Sequence, residues 1–325
     1  MRNRILLIAF SIPIIIIAGC RSKQAVTPLR IGLVTWIGYG PFYIAQDNGY
    51  FRQNGIDVQL ERIEGDAERR AALASGDLDA TALTLDAMIV MRTQGIPLKT
   101  VMAIDASQGG DGIIAKQDIK TIEDLRGKQI AFPTGLPSHF FLYSVLKEHG
   151  IKMSEIKPIV MDADKAGAAF IAGQVDAAVT WEPWVSKARQ SSNGHVLIDS
   201  RDEPGLIEDV LFFREDVISQ RPDDIKALIR SWFEAVDFLK ANPDSSAAII
   251  GRAFGLTKDN VVELMPKVRY EGKAQNKDAF GTETNRGFLY PLYDKISDAW
   301  MSEGVISKRD KPDEGIYPNF VLSFN

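Results

Sequence analysis

Cysteine is nearly absent from this chain: Cys20 is the only one among 325 residues. Past position 20 there is no disulfide, no thiol nucleophile and no thiolate metal cluster. Histidine is scarce as well. His139, His149 and His195 are scattered, and no two have the spacing of a metal site. Basic charge is not in excess, with 38 lysines and arginines against 43 acidic residues and a formal net charge of −5. Without a dense basic stripe the chain is not built for nucleic acid. No long apolar run follows Cys20, so nothing beyond it is expected to cross a bilayer. There is no P-loop, nucleophile elbow, ordered Ser-His-Asp set or paired-histidine motif, and so no common signature of a nucleotide-binding, hydrolytic or zinc enzyme. The composition, 45% hydrophobic and 25% charged, is that of an ordinary soluble globular chain rather than a disordered one or a membrane bundle.

What is present begins at the N-terminus. Met1-Arg-Asn-Arg4 is followed by an apolar run from Ile5 to Ala18 and then by Gly19 and Cys20. The run is shorter than the ~20 residues of a spanning helix, and Pro13 interrupts it. Basic, apolar and small residues in that order form an export signal. Ile17-Ala18-Gly19-Cys20 resembles the lipobox of bacterial lipoproteins. That implies a signal peptide over 1–19, lipidation of Cys20, a tether over 20–28 and attachment to a membrane through the lipid alone. Cleavage before Cys20 removes Arg2 and Arg4 and takes the formal charge from −5 to −7. The remainder is long enough for one large domain or two lobes.

The body alternates strand-like and helical patterns. Leu29–Thr35, Asp57–Arg62 and Leu78–Leu83 read as strands, with helices over Pro41–Asn54 and from Asp66, as cap, to Ser75. The order predicts a parallel, doubly wound α/β sheet. The same grammar recurs: a capping box at Thr121-Ile-Glu-Asp124, strands over Gln129–Phe132, Ile156–Met161 and Val175–Thr180, and helices over Pro137–His149 and Asp164–Ala172. One echo is explicit. Ala71-Ala-Leu-Ala-Ser-Gly-Asp-Leu-Asp-Ala80 aligns with Ala168-Ala-Phe-Ile-Ala-Gly-Gln-Val-Asp-Ala177, each a helix end, a glycine cap and a strand start. Two similar lobes are expected. After Val185 come a short strand, Leu211–Arg214, and amphipathic helices over Pro222–Lys240, Asp244–Phe254, Lys258–Met265 and Thr284–Ser302, the last of them returning to the first lobe. Asp111–Lys116 and Asp209–Arg214 read as crossover strands acting as hinges. The expected division is lobe 1 over 29–110 and 215–325 and lobe 2 over 111–214, hinge strands included.

Ligands of doubly wound sheets sit beyond the carboxyl ends of the strands. That rule selects Trp36, Gly38 and Tyr39 after the first strand, and Thr84 and Asp86 after the third. In the second half it selects Thr134, Gly135 and Ser138, and then Trp181, Glu182 and Trp184. By the echo, Thr84 and Trp181 occupy equivalent positions. Glycine-flanked helix starts offer N–H groups to an anionic head. The aromatic residues offer walls and cation–π faces, and Asp66, Asp86 and Glu182 accept hydrogen bonds from an amine. His139 reads as structural. The mixture favours a small zwitterion or polar heterocycle over a pure anion.

These segments carry a family resemblance. Leu29-Arg-Ile-Gly-Leu-Val-Thr-Trp-Ile-Gly-Tyr-Gly-Pro-Phe-Tyr-Ile-Ala45, Asn48-Gly-Tyr-Phe51, Gly55-Ile-Asp-Val58, Ala72-Leu-Ala-Ser-Gly-Asp-Leu-Asp79, Ile122-Glu-Asp-Leu-Arg-Gly-Lys128 and Gly173-Gln-Val-Asp-Ala-Ala178 resemble the nitrate/sulfonate/taurine, or NMT1/THI5-like, group of ABC-transporter substrate-binding proteins. The resemblance implies a type II periplasmic-binding fold, two doubly wound lobes joined by two crossover strands, with a solute held between them. It implies a monomer that serves an ABC permease and ATPase, without a cofactor and without catalysis. The solute class it implies is an aliphatic sulfonate, a taurine-like zwitterion or a related nitrogen compound, with a pyrimidine precursor as the alternative. An enzyme or a sensor on the same fold is the remaining one. The yeast-type pyrimidine synthases of the family use a cysteine-rich motif that this chain lacks.

Overall fold

The computed structural model describes residues 27–282 and 284–324. Cys20, the export signal and most of the tether lie outside the described residues. Eleven strands among them form two sheets. They are β1 (Leu29–Leu33), β2 (Val58–Arg62), β3 (Ala80–Thr84), β4 (Leu98–Ser107), β5 (Asp111–Lys116), β6 (Gln129–Phe132), β7 (Lys157–Val160), β8 (Ala177–Trp181), β9 (Gly194–Asp199), β10 (Glu208–Arg214) and β11 (Val268–Tyr270). One sheet has the order β11-β4-β10-β3-β1-β2, the other β7-β6-β8-β5-β9. Helices cover both faces, so β3 is buried throughout and β4 and β10 nearly so.

The two sheets share one plan. In the first, β2, β1 and β3 are parallel, β10 is antiparallel to β3, and β4 follows. In the second, β7, β6 and β8 are parallel, β5 is antiparallel to β8, and β9 follows. The chain passes from β4 to β5 and back from β9 to β10, so each lobe receives its antiparallel strand at a crossover. This is the mixed α/β, two-lobed architecture expected from the sequence. The echo also has a common geometry: Gly76 (φ 86°) and Gly173 (φ 72°) are both left-handed caps that end a helix just before β3 and β8.

Several expectations need correcting. The segments read as hinges, Asp111–Lys116 and Asp209–Arg214, are interior strands of the two sheets, and β10 belongs to lobe 1. The connections that cross between lobes are 108–110 and 200–207, and they are stitched together. Ser107 and Ser200 share a hydrogen bond at 2.8 Å, and the Gly109 N–H donates to Ser200 Oγ at 2.7 Å. The first long helix breaks into Gly40–Asp47 and Tyr50–Gln53, because Gly49 adopts φ 74° between them. Asp66 is inside its helix, with Gly65 as N-cap; its carboxylate pairs with Arg69 at 3.2 Å and with Arg70. The last long helix is Leu289–Ser302, starting later than its apolar pattern suggested. Helices Leu85–Thr93, Trp184–Gln190 and Lys273–Phe280 and strands β4, β9 and β11 carry too little periodicity of their own to have been read.

Candidate functional site

Between the lobes lies a cavity of about 560 Å³, within the range of small-molecule sites. Of the residues selected from the sequence, Trp36, Tyr39, Asp66, Thr84, Trp181, Glu182 and Trp184 line it. Gly38, Asp86, Thr134, Gly135 and Ser138 do not, and each has a different reason. Gly38 lies behind the wall, where an added Cβ would collide with the Asp105 carboxylate and the Trp36 indole. Asp86 is buried in the first turn of Leu85–Thr93. Thr134 is an exposed turn residue, and Ser138 is buried in the helix. Gly135 (φ 71°) spends its N–H on His139 Nδ1 at 3.1 Å. Leu136 and Pro137 reach the cavity instead.

The lobe-1 wall is set by a carboxyl pair. Antiparallel pairing puts Asp209 of β10 directly opposite Asp105 of β4. Tyr39 donates its hydroxyl to Asp209 Oδ1 at 2.6 Å, and Trp36 Nε1 donates to Asp105 Oδ1 at 3.0 Å. The two aromatic residues of the first loop are thus oriented by the two aspartates beneath them. Burial first, and then the neighbouring Asp209, holds Asp105 well above the ordinary carboxylate range. Two like charges directly opposite on a sheet repel, so each carboxyl of this pair holds its proton more tightly than a free one.

The floor is acidic from both sides. Asp111 opens β5 opposite Trp181, and Asp209 lies near the start of β10 opposite Thr84. Since Thr84 and Trp181 are equivalent by the echo, the two aspartates are equivalent too, one from each lobe. Burial raises Asp86, Asp111 and Asp209 alike to about 7. The charged neighbours that act on these three are other carboxylates, and among the described residues no lysine or arginine pairs with any of them. Eight carboxylates line the cavity against two cations, Arg69 and Lys165. Both cations are already matched, Arg69 to Asp66 at 3.2 Å and Lys165 to Asp162 at 2.6 Å.

Glu182, expected to face an amine, is committed elsewhere. Lys267 of lobe 1 donates to its Oε1 and, at 2.8 Å, to Ser186 Oγ. Ser186 in turn donates its N–H to Glu182 Oε2 at 3.0 Å. This is a nearly buried ion pair across one flank of the cleft. The other flank is aromatic. Trp300 packs on His139 (centroids 5.1 Å) and on Phe140 (5.6 Å), joining Leu289–Ser302 to the lobe-2 helix Pro137–Glu148. Burial lowers His139 to about 4, so its ring is neutral, and it stands outside the cavity in this interlobe stack. Trp184 is half committed to structure, with Lys187 Nζ 3.9 Å from its ring centroid and its other surroundings close to Gly167.

Residues 36–246 match the family model described as NMT1/THI5 like, a span that holds all of the cavity lining except Val34 and Thr35. The chain belongs to that family. The taurine-binding periplasmic protein of Escherichia coli (strain K12) is 30% identical over 210 residues, covering 63% of this chain and 64% of its own. A putative aliphatic sulfonates-binding protein of Bacillus subtilis (strain 168) is 25% identical over 264 residues, 78% of this chain and 79% of that one. Among solved structures, the alkanesulfonate-binding protein SsuA from Xanthomonas axonopodis pv. citri, bound to MOPS, has a TM-score of 0.74 at 20% identity and covers 91% of this chain and 100% of its own. The periplasmic nitrate-binding protein NrtA from Synechocystis PCC 6803 has a TM-score of 0.71 at 17% identity, covering 92% and 88%. These relatives carry the names of binding proteins, and the fold is that of periplasmic binding proteins. Among the described residues no helix is long and apolar enough to cross a membrane.

Proposed function

We propose that this chain is the extracytoplasmic solute receptor of an ABC importer, held at a membrane by lipid on Cys20. It works as a monomer and performs no catalysis. It binds a small, amine-bearing polar solute between its lobes, closes by bending at 108–110 and 200–207, and docks the closed form on the permease and its ATPase. The observation that carries this reading is the cavity, lined from both sheets at the edge where the crossovers meet. Closure would form the Glu182–Lys267 pair on one flank and the His139–Trp300 stack on the other, so solute and interlobe contacts stabilise the same state.

The acidic lining opposes nitrate and simple alkanesulfonates, whose charge it would repel. It is compatible with taurine-like zwitterions and related nitrogen compounds. The aromatic lining from Trp36, Tyr39 and Trp181 also supports a flat heterocycle such as an aminopyrimidine as the second reading. A thermal-shift screen over amines, amino sulfonates and pyrimidines tests the receptor reading. A true solute at a hundred times its Kd adds about 2.7 kcal/mol of stability and raises Tm. A broad library in which nothing raises Tm, together with failure to recover a permease from membranes, would refute it.

A further inference from the structure

The charge of the cleft floor identifies the solute more narrowly than the fold does. Asp111 and Asp209 are related by the internal repeat, come from opposite lobes, and both line the cavity. They are only 5% and 4% exposed. Such deep burial is normally tolerated only where a carboxylate has a cation or a full set of donors. Asp209 meets the Tyr39 hydroxyl and the Asp105 carboxyl and Asp111 meets Ser107, but no protein cation faces either residue among the described ones. A second, independent feature points to the same spot. Thr84, directly opposite Asp209 and 3% exposed, also lines the cavity, and its Oγ1, beside the Asp86 carboxyl, makes no well-formed hydrogen bond. A hydroxyl oxygen without a well-formed hydrogen bond and two buried carboxylates without a cation thus converge on one end of the cavity.

We infer that the solute is a net cation whose N–H-bearing ammonium group sits on this floor between Asp111 and Asp209, accepted by Thr84 Oγ1, with its apolar body against Trp36, Tyr39 and Trp181. The two carboxylates supply the countercharge that neither lobe provides for itself. The aromatic faces bury the apolar body and add a cation–π attraction that a neutral solute of the same shape does not gain. A quaternary ammonium, having no N–H, leaves the acceptors unsatisfied and is disfavoured. Closure then has an electrostatic logic. With the floor empty, approach of the lobes brings Asp111 towards Asp209 and Asp86, and like charges oppose it. A bound ammonium reverses that sign.

This inference rests on the receptor reading, and the test separates the two. Phenethylamine, 2-phenylethanesulfonate and 2-phenylethanol share one body and differ in head-group charge. Calorimetric titration of the purified protein at pH 8 is expected to show at least tenfold tighter binding of the amine than of the other two. Asp111→Asn and Asp209→Asn, each isosteric, are expected to abolish that preference while retaining a cooperative melt. The proposal is overturned by equal or tighter binding of the sulfonate, by no detectable binding of the amine at 10 mM, or by an amine preference that survives both substitutions in folded protein. Sulfonate preference would leave the receptor reading standing, whereas that reading falls only if the broad solute library also fails.

Discussion

Two groups of buried carboxylates in this protein are treated in opposite ways. At one corner of lobe 1, Asp310 accepts from Arg92 Nε at 2.7 Å and from the Tyr293 hydroxyl, and it ties the C-terminal segment to the helix Leu85–Thr93. Asp111 and Asp209 at the cleft floor, and Asp86 behind it, are buried as deeply, yet their charged neighbours are one another and further acids. Both arrangements cost desolvation. Only the first recovers it within the chain, and so only the first is explained by folding. The second is stable enough to persist because burial keeps its carboxyls partly protonated near neutral pH. A cluster that is costly in the empty protein and satisfied by a bound solute is what a functional site looks like energetically.

The contrast can be broken most forcefully at the paired corner. Arg92→Met should leave Asp310 buried without its cation and cost about 3–5 kcal/mol, read by urea denaturation. A loss below 1 kcal/mol would mean that the corner is not held as described. Next comes the hinge-side wall. Gly38→Ala drives a methyl group into Asp105 and Trp36 and should cost about 1–3 kcal/mol. It should also weaken solute binding, because Trp36 loses its seat.

The floor should respond with the opposite sign. Asp111 has a folded pKa of about 7 against an ordinary value of 3.8. The stability tied to its protonated form is fully present below about 4 and is lost as pH rises through about 7. Wild-type stability should therefore decline over that window, with Asp86 and Asp209 contributing to the same fall. Asp111→Asn should flatten the decline and melt at or above the wild-type temperature at pH 8. A variant that instead melts well below wild type at pH 8 would put Asp111 with the structural acids. The smallest effect is expected at the surface. Arg309, exposed between Asp294 and Asp298, should change stability by less than about 1 kcal/mol on conversion to alanine.

Much of this was legible in the residues. The parallel strands β1, β2, β3, β6, β7 and β8 were found to within three residues, since apolar runs between glycine caps and helix starts are local signals. The family could be named from the loops after those strands. What could not be read came from long-range pairing. The strand-end rule looks beyond the carboxyl ends of parallel strands, and so it found Trp36, Thr84 and Trp181. It passes over the amino ends of antiparallel strands, which lie at the same edge of the sheet. Asp111 is the first residue of one such strand and Asp209 the second of another, and from sequence they read only as the starts of crossovers. Asp105 was missed with β4, whose buried apolar run looks the same in a helix or a strand. Lys267 could not be matched to Glu182 from sequence, because the two stand on different lobes. The signal that could have found the floor was present in the echo: extending it to the strands paired with β3 and β8 aligns the two aspartates.

The most direct test of the account is the identity of the solute that the protein carries when purified without denaturation, read by accurate mass and by its charge at pH 7. An ammonium-binding floor predicts a primary or secondary amine with net positive charge, retained by the wild type and absent from Asp111→Asn. A sulfonate or nitrate anion in the wild-type cleft, equally retained by Asp111→Asn, would contradict it.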